Sequence, residues 1–268
     1  MLKLSSCFSH RQSIFCFIFP VFRYNHLMSI HRFFLTPQDI VNEGAFTITS
    51  EELMHQWKKV LRFGVGEEVI LFNGSGNEFR GEIISISNKA IHGKISSVVT
   101  CDTELSTKIV LAQSILKNPE KFEWVLQKGT ELGVSEFYPI ITHRTERQFL
   151  PKHERLQRIL VEATEQCGRC IVPILHEPMK FEAFLKHIAA EKPMLLIPHT
   201  IGGKSIDTLK MVQKKPAVLC IGPEGGFDDK EVEEVKKAGG ISVTLGKRIL
   251  RSETASLAAV TLLAAQIE

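Results

Sequence analysis

Two stretches near the C-terminal end carry residue types suited to holding a flat, charged ligand. Gly222-Pro223-Glu224-Gly225-Gly226-Phe227 follows the apolar run Ala217–Ile221 and precedes Asp228 and Glu231, a capping-box pair that marks a helix start. Adjacent glycines let the backbone approach a ligand closely and adopt positive φ, and Pro223 stiffens the entry. An ordinary strand-to-helix turn would use the same glycines. The stretch is not a dinucleotide fingerprint, because Gly-x-Gly-x-x-Gly is absent. Nor is it a phosphate loop, because no Gly-Lys-Ser/Thr follows, and Gly202-Gly203-Lys204-Ser205 lacks the leading Gly. In the second stretch, Leu245 to Ala255, Ile249 and Leu250 lie between Arg248 and Arg251 where a loop should be polar. Apolar residues held there suggest a pocket for a flat ring. Arg251 and Glu253 then open the final helix; the alternative is a cap by Ser252 with exposed charges on either side.

Two further constellations are weaker. Cys167-Gly168-Arg169-Cys170 is a single Cys-x-x-Cys, whereas a structural zinc needs four ligands and no second pair exists. The expectation is two packing thiols at a helix end, and no metal. Between His143 and Arg158, the cations Arg144, Arg147, Lys152, Arg155 and Arg158 stand against Glu146 and Glu154. Such an excess suits phosphate contacts, although a solvated helix face explains Arg155 and Arg158 equally well. No Ser/His/Asp arrangement and no His-Glu-x-x-His is present, so hydrolase and metalloprotease readings have no support.

These stretches need elements to hold them. From Lys108 onward, strand-like and helix-like runs alternate. Strands are expected at Ile109–Ala112, Phe137–Ile141, Ile171–Leu175, Met194–Pro198, Ala217–Ile221 and Ile241–Leu245. Helices are expected after Asn118-Pro119, around Leu156–Cys167, around Phe181–Ile188, around Ile206–Val212, after Asp228, and over Ser252–Ile267. Alternation of this kind implies a mostly parallel sheet with helices on both faces, whose ligands sit beyond the C-terminal strand ends. That rule selects the loops Pro198–Lys204, Gly222–Phe227 and Gly246–Glu253. Residues 28–100 read as mostly β. Val69–Phe72 and Glu78–Ile86 flank Asn73-Gly74-Ser75-Gly76, a hairpin signal, with further strands at Arg32–Leu35 and Ile91–Val99. One helix is expected there, capped by Thr49 and Glu52, with Leu53, Trp57, Val60 and Leu61 on its buried face. Residues 101–107 read as a linker.

The chain has 268 residues, 33 Lys+Arg, 30 Asp+Glu and 44% hydrophobic residues, which excludes a disordered chain and a bundle of membrane spans. Residues 1–27 hold Lys3, Arg11 and Arg23 and no acid, so they carry the whole formal excess of three. They are expected to be an extension ahead of a natural start at Met28 and outside the fold, with a targeting peptide as the alternative. The apolar run Ser13 to Phe22 is too short for a membrane helix. The expectation is a cytoplasmic protein that makes no use of a membrane.

The C-terminal motifs, read together, resemble the RsmE family of 16S rRNA uridine N3-methyltransferases, of the SPOUT or α/β-knot class. The resemblance is carried by Ile221 to Phe227, by Leu245-Gly246, and by Ile249-Leu250-Arg251-x-Glu253-Thr254-Ala255. Upstream it continues through Lys117-x-Pro119-x-Lys121, Lys128-x-Thr130-Glu131-Leu132-Gly133-Val134, Thr145-Glu146-Arg147 and Glu162 to Arg169. His31-Arg32-Phe33-Phe34 and Lys59-Val60-Leu61-Arg62 are similar to the family's PUA-like domain. The match runs in order from Met28 to Gln266. It implies a PUA-like β-rich domain at 28–100 and a SPOUT domain at 105–268, the latter a mostly parallel sheet with helices on both faces, threaded into a deep trefoil knot. It also implies S-adenosyl-L-methionine as methyl donor, a homodimer, and 16S rRNA in the 30S subunit as partner. The donor slot would be formed by Leu196, Pro198 and His199, by Gly222, Pro223, Glu224, Gly225 and Gly226, and by Leu245, Gly246, Ile249, Leu250 and Thr254. Arg251 is the candidate cation for charge on the uracil oxygens, with Glu253 or Glu165 to orient it or take the proton. Arg32, Lys59, Arg62, Arg144, Arg147 and Arg169 are the RNA-binding candidates.

Overall fold

A computed structural model describes residues 30–199, 203–209 and 215–268. Residues 31–268 form one compact unit. The expected extension at 1–27 lies outside the described residues. Of the expected helix at Ile206–Val212, residues 206–208 form only a 3₁₀ turn that ends at an extended Leu209, and residues 210–212 lie outside the described residues.

The first sheet has six strands: β1 (His31–Phe34), β2 (Ile40–Val41), β3 (Ala45–Ile48), β4 (Glu68–Phe72), β5 (Asn77–Ile86) and β6 (Ile91–Thr100). Their order is β1-β4-β5-β6-β3-β2, with β1 parallel to β4 and the rest antiparallel. β4 and β5 form the hairpin that Asn73-Gly74 announces, in the register Phe72 opposite Glu78. The sheet curls into a half-barrel around Phe33, Phe46, Ile48, Trp57, Leu71 and Ile83, all at most 2% exposed. Gly93 makes that packing possible, since a Cβ there would fall on the Phe46 ring. Helix α1 (Glu51–His55) continues as a π-helical turn, Gln56–Val60. The expected Thr49/Glu52 capping box does not form. The N-cap is Ser50, the Thr49 hydroxyl donates to the Gln38 carbonyl, and Glu52 pairs with Arg158 at 3.4 Å. Val60 is 64% exposed and not on the buried face, because the wider π turn rotates it outward relative to a regular helix.

The second sheet is parallel, in the order β10-β8-β7-β13-β11-β14-β12 with β9 on β8. Its strands are β7 (Ile109–Ser114), β8 (Val134–Ile141), β9 (Ile174–Leu175), β10 (Met179–Lys180), β11 (Met194–Pro198), β12 (Lys204–Ser205), β13 (Ala217–Ile221) and β14 (Ile241–Thr244). The helices are α2 (Pro119–Glu131), α3 (His153–Cys167), α4 (Phe181–Ile188), α5 (Asp229–Lys237) and α6 (Ser252–Ile267). The two-residue period of a strand sorts β7 between them: Ile109 and Leu111 join the cluster under α2, α3 and α6, whereas Val110 and Ala112 join the cluster under α4 and α5. Burial of each such Leu, Ile or Phe contributes roughly 1.5–3 kcal/mol. The chain is therefore an α/β protein with a β-rich half-barrel followed by a covered parallel sheet. A trefoil knot concerns the path of the last third of the chain, whose segments 200–202 and 210–214 lie outside the described residues. Among the described residues no helix is long and apolar enough to cross a membrane.

The two sheets are tied by charged side chains, which corrects several sequence expectations. Arg169 is 3% exposed; its Nη1 donates to the carbonyls of Thr130 and Val134 at 2.9 and 2.8 Å, and its Nη2 meets Glu104 at 2.6 Å. Arg32 pairs with Glu78 at 2.5 Å and donates to the carbonyls of Gly168 and Arg169 at 3.1 and 3.2 Å. Neither guanidinium presents a surface to RNA, because both are spent on buried acceptors. The cysteine expectation also changes: Cys170 forms a disulfide with Cys101, and Cys167 stands apart as a free thiol. Glu78 brings a carboxylate oxygen within 4.8 Å of both sulfurs, but it is engaged by Arg32 and Arg80. Replacing Arg169 by Met should strand Glu104 and two carbonyls. A loss of about 3 kcal/mol in urea unfolding is expected, with only partial recovery in Arg169→Lys, whose single ammonium cannot fan out to all three groups.

Candidate active site

The described chain has a cavity of about 440 Å³ at the C-terminal edge of the parallel sheet, within the usual range for a small-molecule site. Three turns build it. The first is 222–227, between β13 and α5. The second is 244–250, between β14 and α6. The third is the end of β11 at Pro198 and His199.

Each turn is held by an identifiable interaction. The capping box at Asp228 fixes the start of α5: its side chain accepts from Glu231 N–H, and Glu231 accepts from Asp228 N–H. Those hydrogen bonds, the Glu231 amide foremost, hold the Asp228 carboxyl below its usual range. A Cβ on Gly222 would come within 3.0 Å of Phe227 N and 3.1 Å of the Gly226 carbonyl carbon, so a side chain there would push the turn apart by a few tenths of an ångström. Arg144 Nη1 donates to the Gly225 carbonyl at 2.8 Å and to that of Phe227 at 3.3 Å, bracing the turn from outside. Beneath the cavity, the Ser252 hydroxyl donates to the Gly222 carbonyl at 2.5 Å and accepts from Gln113 Nε2 at 3.0 Å. Gln113 Oε1 accepts in turn from the Ser256 hydroxyl. His199 N–H donates to the Val243 carbonyl at 2.9 Å, joining the third turn to β14.

Of the residues the sequence singled out for a donor slot, Pro198, His199, Gly222, Pro223, Glu224, Gly225, Gly226, Leu245, Gly246, Ile249 and Leu250 line the cavity. Leu196 does not. It is fully buried in the core, two residues inside the sheet from Pro198, so its side chain packs under the rim. Thr254 is exposed on α6 and also lies off the cavity wall. Residues that the sequence reading missed as donor contacts include Ile221, Phe227, Arg248, Ser252 and Ala255, together with Arg144, which had been assigned to RNA. The first five lie inside the two stretches singled out in the sequence, whereas Arg144 comes from a loop some eighty positions earlier, and nothing in its neighbourhood announces the cavity.

The catalytic candidates separate in space. Arg251 is the exposed N-cap of α6, and Glu253 sits in the same first turn at 9% exposure; neither lines the cavity, although Leu250 and Ser252 on either side of Arg251 do. Burial alone would raise the Glu253 carboxyl. The Lys121 ammonium, 2.7 Å from Oε1, outweighs it and leaves the group below its usual range; Oε2 is buried without a hydrogen-bond partner. Glu165 is elsewhere: its Oε1 accepts from Phe34 N–H of β1 at 2.9 Å, and it is not among the cavity residues. Its assignment to proton transfer in this cavity is corrected accordingly. Among the RNA candidates, Lys59 and Arg62 are exposed and Arg147 is half-buried. Arg155 makes a two-pronged ion pair with Glu123, the solvated-face alternative.

A parallel sheet with a three-turn slot at its edge, preceded by a β half-barrel, is the architecture this chain shares with RNA methyltransferases, the class to which the comparisons assign it. Residues 103–264 match the family model described as an RNA methyltransferase domain, and residues 58–96 match the RNA methyltransferase PUA domain. Ribosomal RNA small subunit methyltransferase E of Bacillus subtilis is 31% identical over 87% of this chain and 95% of its own length. A putative methyltransferase from Legionella pneumophila, solved in complex with bound SAM, is 33% identical with a TM-score of 0.78, covering 89% of this chain and 98% of that one. Ribosomal RNA small subunit methyltransferase E of Neisseria gonorrhoeae, bound to S-adenosyl methionine, is 29% identical with a TM-score of 0.79, covering 88% and 97%. The chain belongs to the RsmE family of ribosomal RNA small subunit methyltransferases.

Two outcomes follow from this geometry. Gly222→Ala forces the turn open and should weaken S-adenosylhomocysteine binding about tenfold by calorimetry. Glu165 gives a pH signature. Burial pushes its carboxyl up to about 7, against the lowering effect of the Phe34 amide; Glu162 and Glu52 raise it further and Arg32 lowers it. The folded state therefore holds a proton that the unfolded state releases above pH 4.5, so this contribution is complete below that pH and declines as pH rises toward about 7. Melting curves between pH 5 and 8 should show this decline in the native chain. Glu165→Gln, which keeps an acceptor for Phe34, should flatten it.

Proposed function

We propose that the chain transfers the methyl group of S-adenosyl-L-methionine to N3 of one uridine in 16S rRNA, acting on the small ribosomal subunit in the cytoplasm. The observation that carries this reading is the three-turn cavity. Ile221, Phe227, Leu245, Ile249 and Leu250 supply apolar walls for an adenine. The backbones of Gly222 and Gly225, which line the cavity without side chains in the way, would read its polar edge. The cofactor is S-adenosyl-L-methionine, which when bound supplies an electrophilic methyl on a sulfonium.

The chain's residues have two tasks. The first is positioning, because an in-line displacement depends on holding the acceptor nitrogen in line with the carbon–sulfur bond. The Gln113–Ser252 hydrogen bond does this indirectly, by fixing the 222–227 turn to the start of α6. The second is managing the N3 proton. Methylation forms the N–C bond, breaks the S–C bond and releases that proton, while negative charge develops on the uracil O2 and O4. Arg251 is the cation assigned to that charge. Glu253, in the same turn of α6 as Arg251 and kept ionised by Lys121 of α2, orients it or accepts the proton. Lys59 and Arg62 on the half-barrel, with Arg144 and Arg147 on the catalytic half, are assigned to the RNA backbone. The active form is a homodimer. Helix α6 supports this: from Leu257 to Ala265 it is apolar except for Thr261, and it leaves Leu257, Ala258 and Leu262 only half-covered.

Arg251→Ala should cut turnover roughly 100-fold while leaving S-adenosylhomocysteine binding intact by calorimetry. A collapse of donor binding would make Arg251 a pocket residue and remove its catalytic role. The substrate is tested by mapping modified uridines in rRNA from a deletion strain and re-methylating its small subunits in vitro. A full complement of modified uridines in that strain would refute the assignment.

A further inference from the structure

The segment 142–150 meets the cavity at Arg144 and carries an exposed aromatic ring, Phe149, to which the proposed reaction gives no role. Its root is rigid. Thr142 N–H donates to Thr145 Oγ1 at 2.9 Å, the two hydroxyls are 2.9 Å apart, and Ser114 donates to Thr142 at 3.3 Å, all buried. Arg144 is fastened to the 222–227 turn. Lys117 neutralises Glu146 at 2.8 Å while its own N–H donates to Glu224, a cavity residue, at 3.1 Å. Beyond this root come Arg147 and Phe149. The Arg147 guanidinium lies over the Phe149 ring, 4.4 Å from its centroid, and Arg147 Nε donates to the Phe149 carbonyl at 3.0 Å. Phe149 is 66% exposed and joins none of the three core clusters, whereas its neighbour Leu150 packs on the core.

An aromatic ring held in water by a cation, on an anchored loop beside a nucleoside-sized cavity, matches the way single-stranded RNA is gripped. Unpaired bases stack on aromatic faces and guanidinium planes, independently of sequence. The charge agrees: with Glu146 paired to Lys117, the segment from 144 to 152 offers Arg144, Arg147 and Lys152 to a phosphate backbone. Phe149 is five positions along the chain from Arg144 on the cavity wall, a span of at most about 18 Å. We propose that Arg147 and Phe149 form a stacking platform for one unpaired base close to the methylated nucleotide on the same RNA strand. The proposal rests on the reading that the cavity's acceptor is RNA. It adds a site and a ligand class, a single-stranded ribonucleotide base, at a residue outside the cavity.

The test compares the full-length chain with Phe149→Ala, Phe149→Leu and Phe149→Trp. Binding of a fluorescein-labelled 12-nucleotide oligouridylate is read by anisotropy, donor-site integrity by S-adenosylhomocysteine calorimetry, and oligomeric state by sedimentation. Phe149→Ala and Phe149→Leu should weaken oligonucleotide binding about tenfold, and Phe149→Trp should keep it within about twofold. Donor affinity and oligomeric state should not change, and the KM for small subunits should rise in Phe149→Ala with little change in kcat. Equal oligonucleotide binding by wild type and Phe149→Ala, or none by wild type, overturns the platform. So does a Phe149→Leu variant as good as Phe149→Trp, or a change of oligomeric state, which would make Phe149 a self-association contact. Wild type that binds the oligonucleotide through Phe149 but methylates no small-subunit RNA leaves the platform standing and sinks the proposed reaction. Methylation with an unchanged KM in Phe149→Ala does the reverse.

Discussion

The cavity exists because Gln113 is buried at the end of β7 and satisfied on both sides. At 1% exposure, its amide must find partners or carry the cost of desolvation, on the order of 1–3 kcal/mol per stranded group. It finds them in Ser252 and Ser256, one turn apart on α6, and Ser252 passes the link to the Gly222 carbonyl. One side chain thus sets where the last helix starts relative to the 222–227 turn. Arg251 and Glu253 stand beside Ser252 in that helix, so their distance from the slot is set by the same polar chain. Apolar contacts alone would hold α6 against the sheet, but they are non-directional and would tolerate small shifts along its axis. The hydroxyl-to-carbonyl link does not.

A second layer of constraint surrounds the first. Arg144 on the loop after β8, Lys117 at the start of α2 and the capping box of α5 each attach a neighbouring segment to the 222–227 turn. Lys117 and the capping box act from outside the cavity, whereas Arg144 is itself part of its wall. The lining combines glycine backbone and apolar side chains with charged groups at Arg144, Glu224, Asp229 and Arg248, which suits a flat ligand that is read by shape and also carries charge.

Legibility followed the range of the interactions. Asn118-Pro119, Asp228/Glu231 and the apolar run of β13 act on their own neighbours, and the elements they mark stand where the sequence placed them. The glycine-rich and Ile249-Leu250 stretches were legible for the same reason, since strand ends and their following turns define the ligand edge of a parallel sheet. The partners of Arg32 and Arg169 were not. The carbonyls that receive Arg32 lie 136 and 137 positions away, and the carboxylate that receives Arg169 lies 65 away. A cation in a turn reads as solvent-facing until such partners are known. Cys101 likewise sits in a polar stretch with nothing nearby to announce Cys170. Leu196 shows the same limit at short range, because rim and interior of β11 differ by only two residues.

Strand β1 has an unusual position in the half-barrel. It forms the edge of its own sheet, yet the N–H of Phe34 is taken by Glu165 of α3 and the side chain of Arg32 is taken by carbonyls at the end of that helix. An edge that would ordinarily invite pairing with another chain is covered from the catalytic half. The two halves are consequently not modular. A foreign RNA-binding barrel grafted ahead of this catalytic half would need its own first strand to supply both a guanidinium and an open amide in this spacing. Without them, the chimera would leave a carboxylate and two carbonyls unanswered in the seam, and the halves would lose their fixed relative orientation.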